Sequence, residues 1–200
     1  MTTANARTAD HPVDPMFLQR WSPRAFTAEP IGESELFTLF EAARWAPSSY
    51  NSQPWRFLYA RRGTEHWPQF LGLLNAFNQS WARNAAALVI LVSKTTLLPT
   101  GSDKEVFSRT HSLDAGAAWG YLALQAARLG WAAHGMAGFD VLRAAAELGV
   151  PPEYRVEAAI AIGKPGDKAL LPEALQVREK PSGRLPLSQL VSEGRFAAGS

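Results

Sequence analysis

Three short stretches of this chain carry side chains that could do chemistry together. Arg20-Trp21-Ser22-Pro23-Arg24-Ala25-Phe26 sets two arginines four positions apart around a Ser-Pro step. A residue before proline avoids the helical region, so this segment reads as a kinked loop. Two guanidinium groups and a hydroxyl converging in a loop suit an anion cradle, because guanidinium binds phosphate bidentately. Two solvated surface arginines are the plain alternative. The second stretch is Ala46-Pro47-Ser48-Ser49-Tyr50-Asn51-Ser52-Gln53-Pro54-Trp55-Arg56-Phe57, with two prolines, three serines and two carboxamides in twelve positions. Prolines stiffen it and the polar side chains can grip a ligand; an ordinary helix-to-strand turn is the competing reading. The third is Gly135-Met136-Ala137-Gly138, a glycine-bearing strand end where a backbone can pass close to a ligand.

Other chemistry is missing. The chain has no cysteine, which excludes thiolate nucleophiles, disulfides and zinc-thiolate sites. It has no G-x-S-x-G, S-x-x-K, P-loop or G-x-G-x-x-G motif. His11, His66, His111 and His134 show no metal-ligand spacing and read as structural or surface residues. What remains fits the binding of a flat, phosphorylated heterocycle whose own chemistry replaces catalytic side chains.

With 200 residues, 46% hydrophobic and 19% charged, the composition is that of one globular domain. A net charge of +2, with arginine and lysine scattered along the chain, lacks the basic footprint of a nucleic-acid binder. No apolar run approaches the ~20 residues of a membrane helix, and residues 1–14 lack the apolar core of a signal peptide. A cytoplasmic protein without membrane or nucleic-acid partners is the expectation.

The elements that must position the three stretches follow from periodicity. Residues 1–14 read as a flexible arm, and 15–200 as one domain. A short helical piece around Met16-Phe17-Leu18 precedes the arginine loop. Ser34 is the expected N-cap of a helix from Glu35 to about Trp45, with Leu36, Leu39, Phe40 and Ala43 on one face. Strands are expected at 55–60, 85–92, 131–137 and 154–162, the second buried on both faces. Helices are expected over Trp67–Phe77, interrupted at Asn78-Gln79-Ser80-Trp81, over His111–Leu129, stopped by Gly130, and from an Asp140 cap through Leu148. Residues 94–110 read as a polar loop of lid length, in which Phe107 is a candidate pocket residue. Residues 163–200 form a tail too apolar for a linker, expected to wrap over a surface.

On the arginine loop, on Glu41 through Phe57, on Asp114-Ala115-Gly116-Ala117-Ala118, on Gly135 to Asp140 and on Arg184, the chain resembles the flavin-dependent nitroreductase family. The resemblance implies an α+β fold, a mixed and largely antiparallel sheet flanked by helices, in an intertwined homodimer with an extended C-terminal tail. It implies bound FMN at the subunit interface, NADH or NADPH as donor, and a small electron-poor acceptor such as a nitroaromatic or quinone. Arg20, Trp21, Ser22, Arg24 and Arg184 match the binders of phosphate and ribityl chain. Pro47, Ser48, Ser49 and Asn51 match a segment approaching the flavin of the other subunit, and Asn78 a contact to the polar ring. Gly135, Met136, Ala137 and Gly138 match the backbone beside the reactive nitrogen. No protein acid or base is demanded. Other flavin chemistry on the same fold, and a flavin-binding sensor or carrier without turnover, are the alternatives.

Overall fold

A computed structural model describes residues 6–196; the expectations for residues 1–5 of the arm and 197–200 of the tail lie outside the described residues. The short helix α1, Pro15–Gln19, starts on Asp14, whose carboxylate accepts from the Met16 amide. Helix α2, Glu33–Arg44, follows the arginine loop and leads through Pro47–Asn51 into strand β1, Trp55–Arg61. Helices α3, Trp67–Leu73, and α4, Ala76–Ala82, precede strand β2, Ala87–Lys94. A small hairpin of β3, Thr96–Leu97, and β4, Val106–Phe107, comes before helix α5, His111–Arg128. Strand β5, Ala132–Met136, helix α6, Val141–Glu147, strand β6, Tyr154–Gly163, and helix α7, Glu173–Gln176, complete the order.

The main sheet runs β1-β2-β6-β5. Among the described residues every pairing in it is antiparallel, which corrects the expected mixed sheet. The reason lies in the connections. The excursion through α3 and α4 returns the chain to the sheet end it left, and so does α6. The crossover through α5 links β2 to β5, which run parallel but are separated by β6. A parallel neighbour needs a crossover into the adjacent position.

Side-chain alternation in the strands divides the core into two layers. Leu88, Ile90 and Val92 of β2 face Phe70, Leu73 and Trp81 of α3 and α4 and Ala144 of α6. Ala87, Val89 and Leu91 face Leu36 and Leu39 of α2 and Ala115, Ala118 and Leu122 of α5. The alanine-rich face of α5 lets α2 and the sheet pack close to it, as small residues allow. Its far side leaves Leu113 and Tyr121 exposed.

Three local expectations are corrected. Helix α2 begins two residues earlier than Ser34 implied, with Gly32 at the cap and no side-chain capping bond. The break between α3 and α4 falls at Leu74-Asn75 instead of Asn78. There the Asn75 amide donates to the Gly138 carbonyl and the Asp140 amide to the Leu73 carbonyl, so backbone pairing with the end of β5 diverts the helix. Residues 94–110 are only partly an irregular loop: β3 and β4 pair at its base, Glu105 accepts from Lys94 and Thr96, and 98–105 have no regular structure.

Candidate functional site

The arginine loop is fixed at both ends before its side chains are considered. Upstream, α1 places Arg20 at its C-cap in an extended conformation. Downstream, Phe26 is buried against Trp81, and the backbone bonds to the start of the tail through Thr27 N to Lys164 O and Gly166 N to Ala25 O, at 3.1 and 2.8 Å. Gly163 makes that seating possible, because a Cβ there would lie 2.6 Å from the Phe26 ring.

Between these anchors the loop wraps a buried carboxylate. Glu179, from the segment after α7, accepts from the backbone amides of Arg24 and Ala25 at 2.7 and 2.8 Å. Its other oxygen lies 4.0 Å from the Arg24 guanidinium. The first part of the chain closes on the tail as well: Arg7 donates to the carbonyls of Leu18, Arg20 and Ser182, and Asp10 accepts from the Leu187 amide.

The result is a cavity of about 310 Å³ lined by Arg7, Arg20, Trp21, Ser22, Arg24, His134, Arg178, Lys180, Ser182 and Arg184. Arg20 donates to the Ser22 hydroxyl at 3.4 Å, and the Arg24 guanidinium stacks 6.0 Å from the Trp81 ring. Burial first, and then neighbouring guanidiniums, lowers the pKa of Arg7, Arg20 and Arg24; Glu179 partly opposes this at Arg24. Like charges pressed together in a partly desolvated cavity are relieved by an anion. The Arg24 Nε is buried and has no hydrogen-bond partner in the structure. A buried donor without a partner is costly, and a phosphate oxygen supplies the missing acceptor. The residues therefore fit a phosphate monoester.

The sequence-level candidates thus separate into groups. Arg20, Trp21, Ser22, Arg24 and Arg184 meet in the cradle, together with Arg7, Arg178, Lys180 and His134, which the sequence reading did not single out. His134 lies on β5, one residue before Gly135, and only that adjacency hinted at it. Gly135 and Met136 end β5, which among the described residues is an edge strand paired only to β6, and Ala137 and Gly138 follow it, with Gly135 and Ala137 exposed. A Cβ on Gly135 would sit 3.3 Å from Trp119.

Gly138 is held more tightly. Asn78 is buried; its amide nitrogen donates to the Gly138 carbonyl at 2.9 Å and its oxygen accepts from Trp81 at 3.3 Å. The side chain expected to reach a ligand ring thus serves to fasten the end of β5. A Cβ on Gly138 would meet the side-chain nitrogens of Asn75 and Asn78 at 2.5 and 2.6 Å. Gly138→Ala is expected to cost about 1–3 kcal/mol, the range for overpacking, and to displace the strand end. A urea-unfolding midpoint equal to that of the parent chain would refute this.

Pro47, Ser48, Ser49 and Asn51 do not line the cradle. Their loop is clamped by Asp114 on α5, which accepts from the Ser49 amide and the Thr110 hydroxyl at 3.1 and 3.2 Å. Tyr50, Asn51 and Gln53 all have positive φ, at 53°, 51° and 46°. Left-handed non-glycine residues carry strain of order 1–3 kcal/mol each and persist where the surroundings impose them. Pro47, Tyr50 and Asn51 face outward on this strained loop. Phe107 is also 70% exposed, stacked edge-on against His111, and does not line the cradle.

His134 gives the cradle a pH dependence. Its Nδ1 is 2.9 Å from the Pro23 carbonyl, which can only accept, so the proton sits on Nδ1. Burial lowers its pKa below the ordinary 6.5, and Arg24 adds to the effect against the raising influence of the Pro23 carbonyl. The unfolded chain therefore takes up this proton first. The stability tied to the neutral ring is complete above pH ~6.5 and is lost as pH falls toward the lowered pKa. Between pH 7.5 and 5.5 the melting temperature should fall, and should fall less in His134→Gln; equal slopes for both proteins would rule the residue out.

Among the described residues no helix is long and apolar enough to cross a membrane, and no cluster of acidic or histidine side chains could hold a metal. Comparison with known proteins agrees with the geometry. Residues 17–164 match the model of the nitroreductase family. A solved structure described as an oxidoreductase containing FMN superimposes with a TM-score of 0.93 at 48% identity, covering 98% of this chain and 99% of the other. An uncharacterised 15.4 kDa protein of Mycolicibacterium smegmatis is 38% identical over 150 residues, 70% of this chain and 97% of its own. A Thermus thermophilus protein named NADH dehydrogenase is 28% identical over 203 residues, covering 87% and 92%.

Proposed function

The chain belongs to the nitroreductase family, and from that premise we propose that it is an FMN-dependent oxidoreductase that takes electrons from NADH or NADPH and delivers them to a small electron-poor acceptor. The observation that carries this reading is the cradle, where guanidiniums from the arginine loop and the tail surround a space with a buried, unpartnered Arg24 Nε. When bound, FMN would supply hydride chemistry at N5 between the nicotinamide donor and an acceptor such as a nitroaromatic or quinone.

The chain's own residues bind and orient. Arg20, Ser22, Arg24 and Arg184 hold the phosphate. The exposed backbone at Gly135 and Ala137 offers its polar groups to the flavin ring. Asn78 and Asn75 keep that edge in place. Holding reactants in a near-attack arrangement is worth several kcal/mol, and the site does it on rigid elements.

The remaining half of the site comes, in this reading, from a second copy. Pro47, Ser48, Ser49 and Asn51 serve the flavin of the neighbouring subunit, and Phe107 joins the acceptor pocket there. Exposed Phe37, Trp45, Tyr50 and Leu113 on and around α2 and α5 give a homodimer interface its apolar area. Pairing by the tail adds to it.

The purified apoprotein mixed with FMN should develop a perturbed flavin spectrum and retain it through gel filtration, eluting at about twice 21.8 kDa. A colourless protein after mixing would overturn the proposal. Steady-state NAD(P)H oxidation with nitro and quinone acceptors then separates this activity from other flavin chemistry on the same fold. Bound FMN that neither nicotinamide bleaches anaerobically would make the protein a flavin carrier.

A further inference from the structure

A buried polar cluster lies outside the cradle, where strand β6 has an extra residue in its pairing with β2. Val156 pairs with Val92 and Ala158 with Leu91, and Glu157 between them has no strand partner. Such a bulge re-aims a side chain, and bulges concentrate beside functional sites. This one turns the Glu157 carboxylate onto Ser93 of β2 and onto His111 and Ser112 of α5.

One carboxylate oxygen accepts from the Ser93 and Ser112 hydroxyls at 2.6 and 2.7 Å. Ser93 uses its only proton in that bond, so its 2.7 Å contact to His111 Nδ1 needs the imidazole as donor. Ser93 and His111 are 0% and 6% exposed, so no water stands in for these partners. The chain of bonds ends on Glu157.

His111 and Ser112 belong to the first turn of α5, whose Thr110 cap makes no side-chain capping bond. A helix start without a cap depends on tertiary bonds to stay formed. The same turn contains Asp114, which accepts from the Ser49 amide. The turn is therefore a bridge, fixed to the sheet by Glu157 on one side and holding the serine loop on the other. That loop keeps Tyr50, Asn51 and Gln53 at positive φ, and strain of this kind persists only where neighbours impose it.

We propose that Glu157 is the positioning residue of the serine loop, acting through Ser93, His111 and Ser112 on the first turn of α5, and that its effect on flavin binding falls on the neighbouring subunit's site. The inference rests on the dimeric flavin reading above, in which Pro47 to Asn51 serve the flavin of the second copy. Glu157 does not line the cradle of its own subunit. Losing the carboxylate leaves two hydroxyls without their acceptor, which loosens the turn and the loop that it holds.

Amide hydrogen exchange on the chain without FMN tests the local effect. Residues 47–53 should exchange at least about tenfold faster in Glu157→Ala, while residues 20–26 keep the parent's rate. Glu157→Gln retains an accepting oxygen and should recover part of the protection. Should Glu157→Ala fail to fold, Ser112→Ala removes one of the same bonds and should move the two segments in the same unequal way. Fluorescence titration should show FMN affinity lowered about tenfold in Glu157→Ala.

Mixed dimers test the effect on the neighbour. A Glu157→Ala subunit, purified with an Arg24→Ala partner by separate tags, forms one site from an intact cradle and an intact serine loop. That site should bind FMN at the parent's affinity although neither homodimer does. Mixed dimers without a parent-like site would overturn the inference. So would unchanged exchange at 47–53, or exchange raised equally in both segments, which is general destabilisation. A parent chain that takes up no FMN removes the flavin reading and the effect on the neighbour with it, while the exchange rates still decide whether Glu157 holds the loop.

Discussion

Replacing Arg24 with alanine should lower FMN affinity by about 100-fold. The estimate comes from two charge-assisted hydrogen bonds worth about 3 kcal/mol together, at 1.4 kcal/mol per tenfold. Arg24 is the cradle residue with the most to lose. Its side chain is only 19% exposed, and its Nε is buried without a partner. The loop itself should survive, because Glu179 still accepts from the amides of residues 24 and 25 after truncation. Arg24→Lys should recover part of the affinity, since an ammonium restores the charge and not the planar fork. Fluorescence titration of FMN at low and high salt measures both terms. Affinity in Arg24→Ala equal to the parent's at low salt would show that the phosphate is held elsewhere.

Glu179→Ala should be the most destabilising single change at the site, at about 3 kcal/mol. Removing one partner of a buried ion pair costs ~3–5 kcal/mol, and here the Arg24 and Ala25 amides lose their acceptor too. The 4.0 Å separation from the guanidinium argues for the lower end of that range. For a domain of this size the loss corresponds to about 6–12 °C in melting temperature. FMN affinity should fall as well, because the arginine loop would no longer be pinned to the tail. Glu179→Gln keeps one accepting oxygen and should lose less. Because Arg24 and Glu179 touch, the double alanine variant should cost less than the sum of the singles. A thermal scan of Glu179→Ala within 1 °C of the parent would sink the argument.

These two predictions differ in how visible they were in the sequence. Arg24 stands in a short motif, four residues from Arg20 and next to a proline, so local spacing exposed it. Glu179 lies 155 residues from the amide it accepts from. Nothing in the Arg178-Glu179-Lys180 triplet distinguishes it from a solvated surface charge, yet it is 5% exposed. Arg178 and Lys180 were hidden for the same reason. Asn78 shows the opposite limit: its chemistry suited ligand binding, but its neighbours Gly138 and Trp81 claim both ends of the side chain. The break between α3 and α4 was misplaced because backbone pairing with residues 138–140, and no local breaker residue, causes it.

The arginine loop, the strained serine loop and the glycine-bearing edge of β5 were legible as three separate stretches, because proline, glycine and hydrophobic period act over a few residues. The sequence by itself, with no cysteine and no nucleophile motif, pointed toward a bound group as the source of the chemistry. It also determined the four main strands and the long α5 helix, whose periods of two and 3.6 are local properties. Only the tertiary structure decided which stretches meet. The path of the tail brings Arg178, Lys180 and Arg184 to the arginine loop, while the loop at Pro47–Asn51 is clamped to α5 and stays outside that cradle. Charge gathers by convergence of distant segments around a buried carboxylate, and no pattern along the chain encodes where those segments end up.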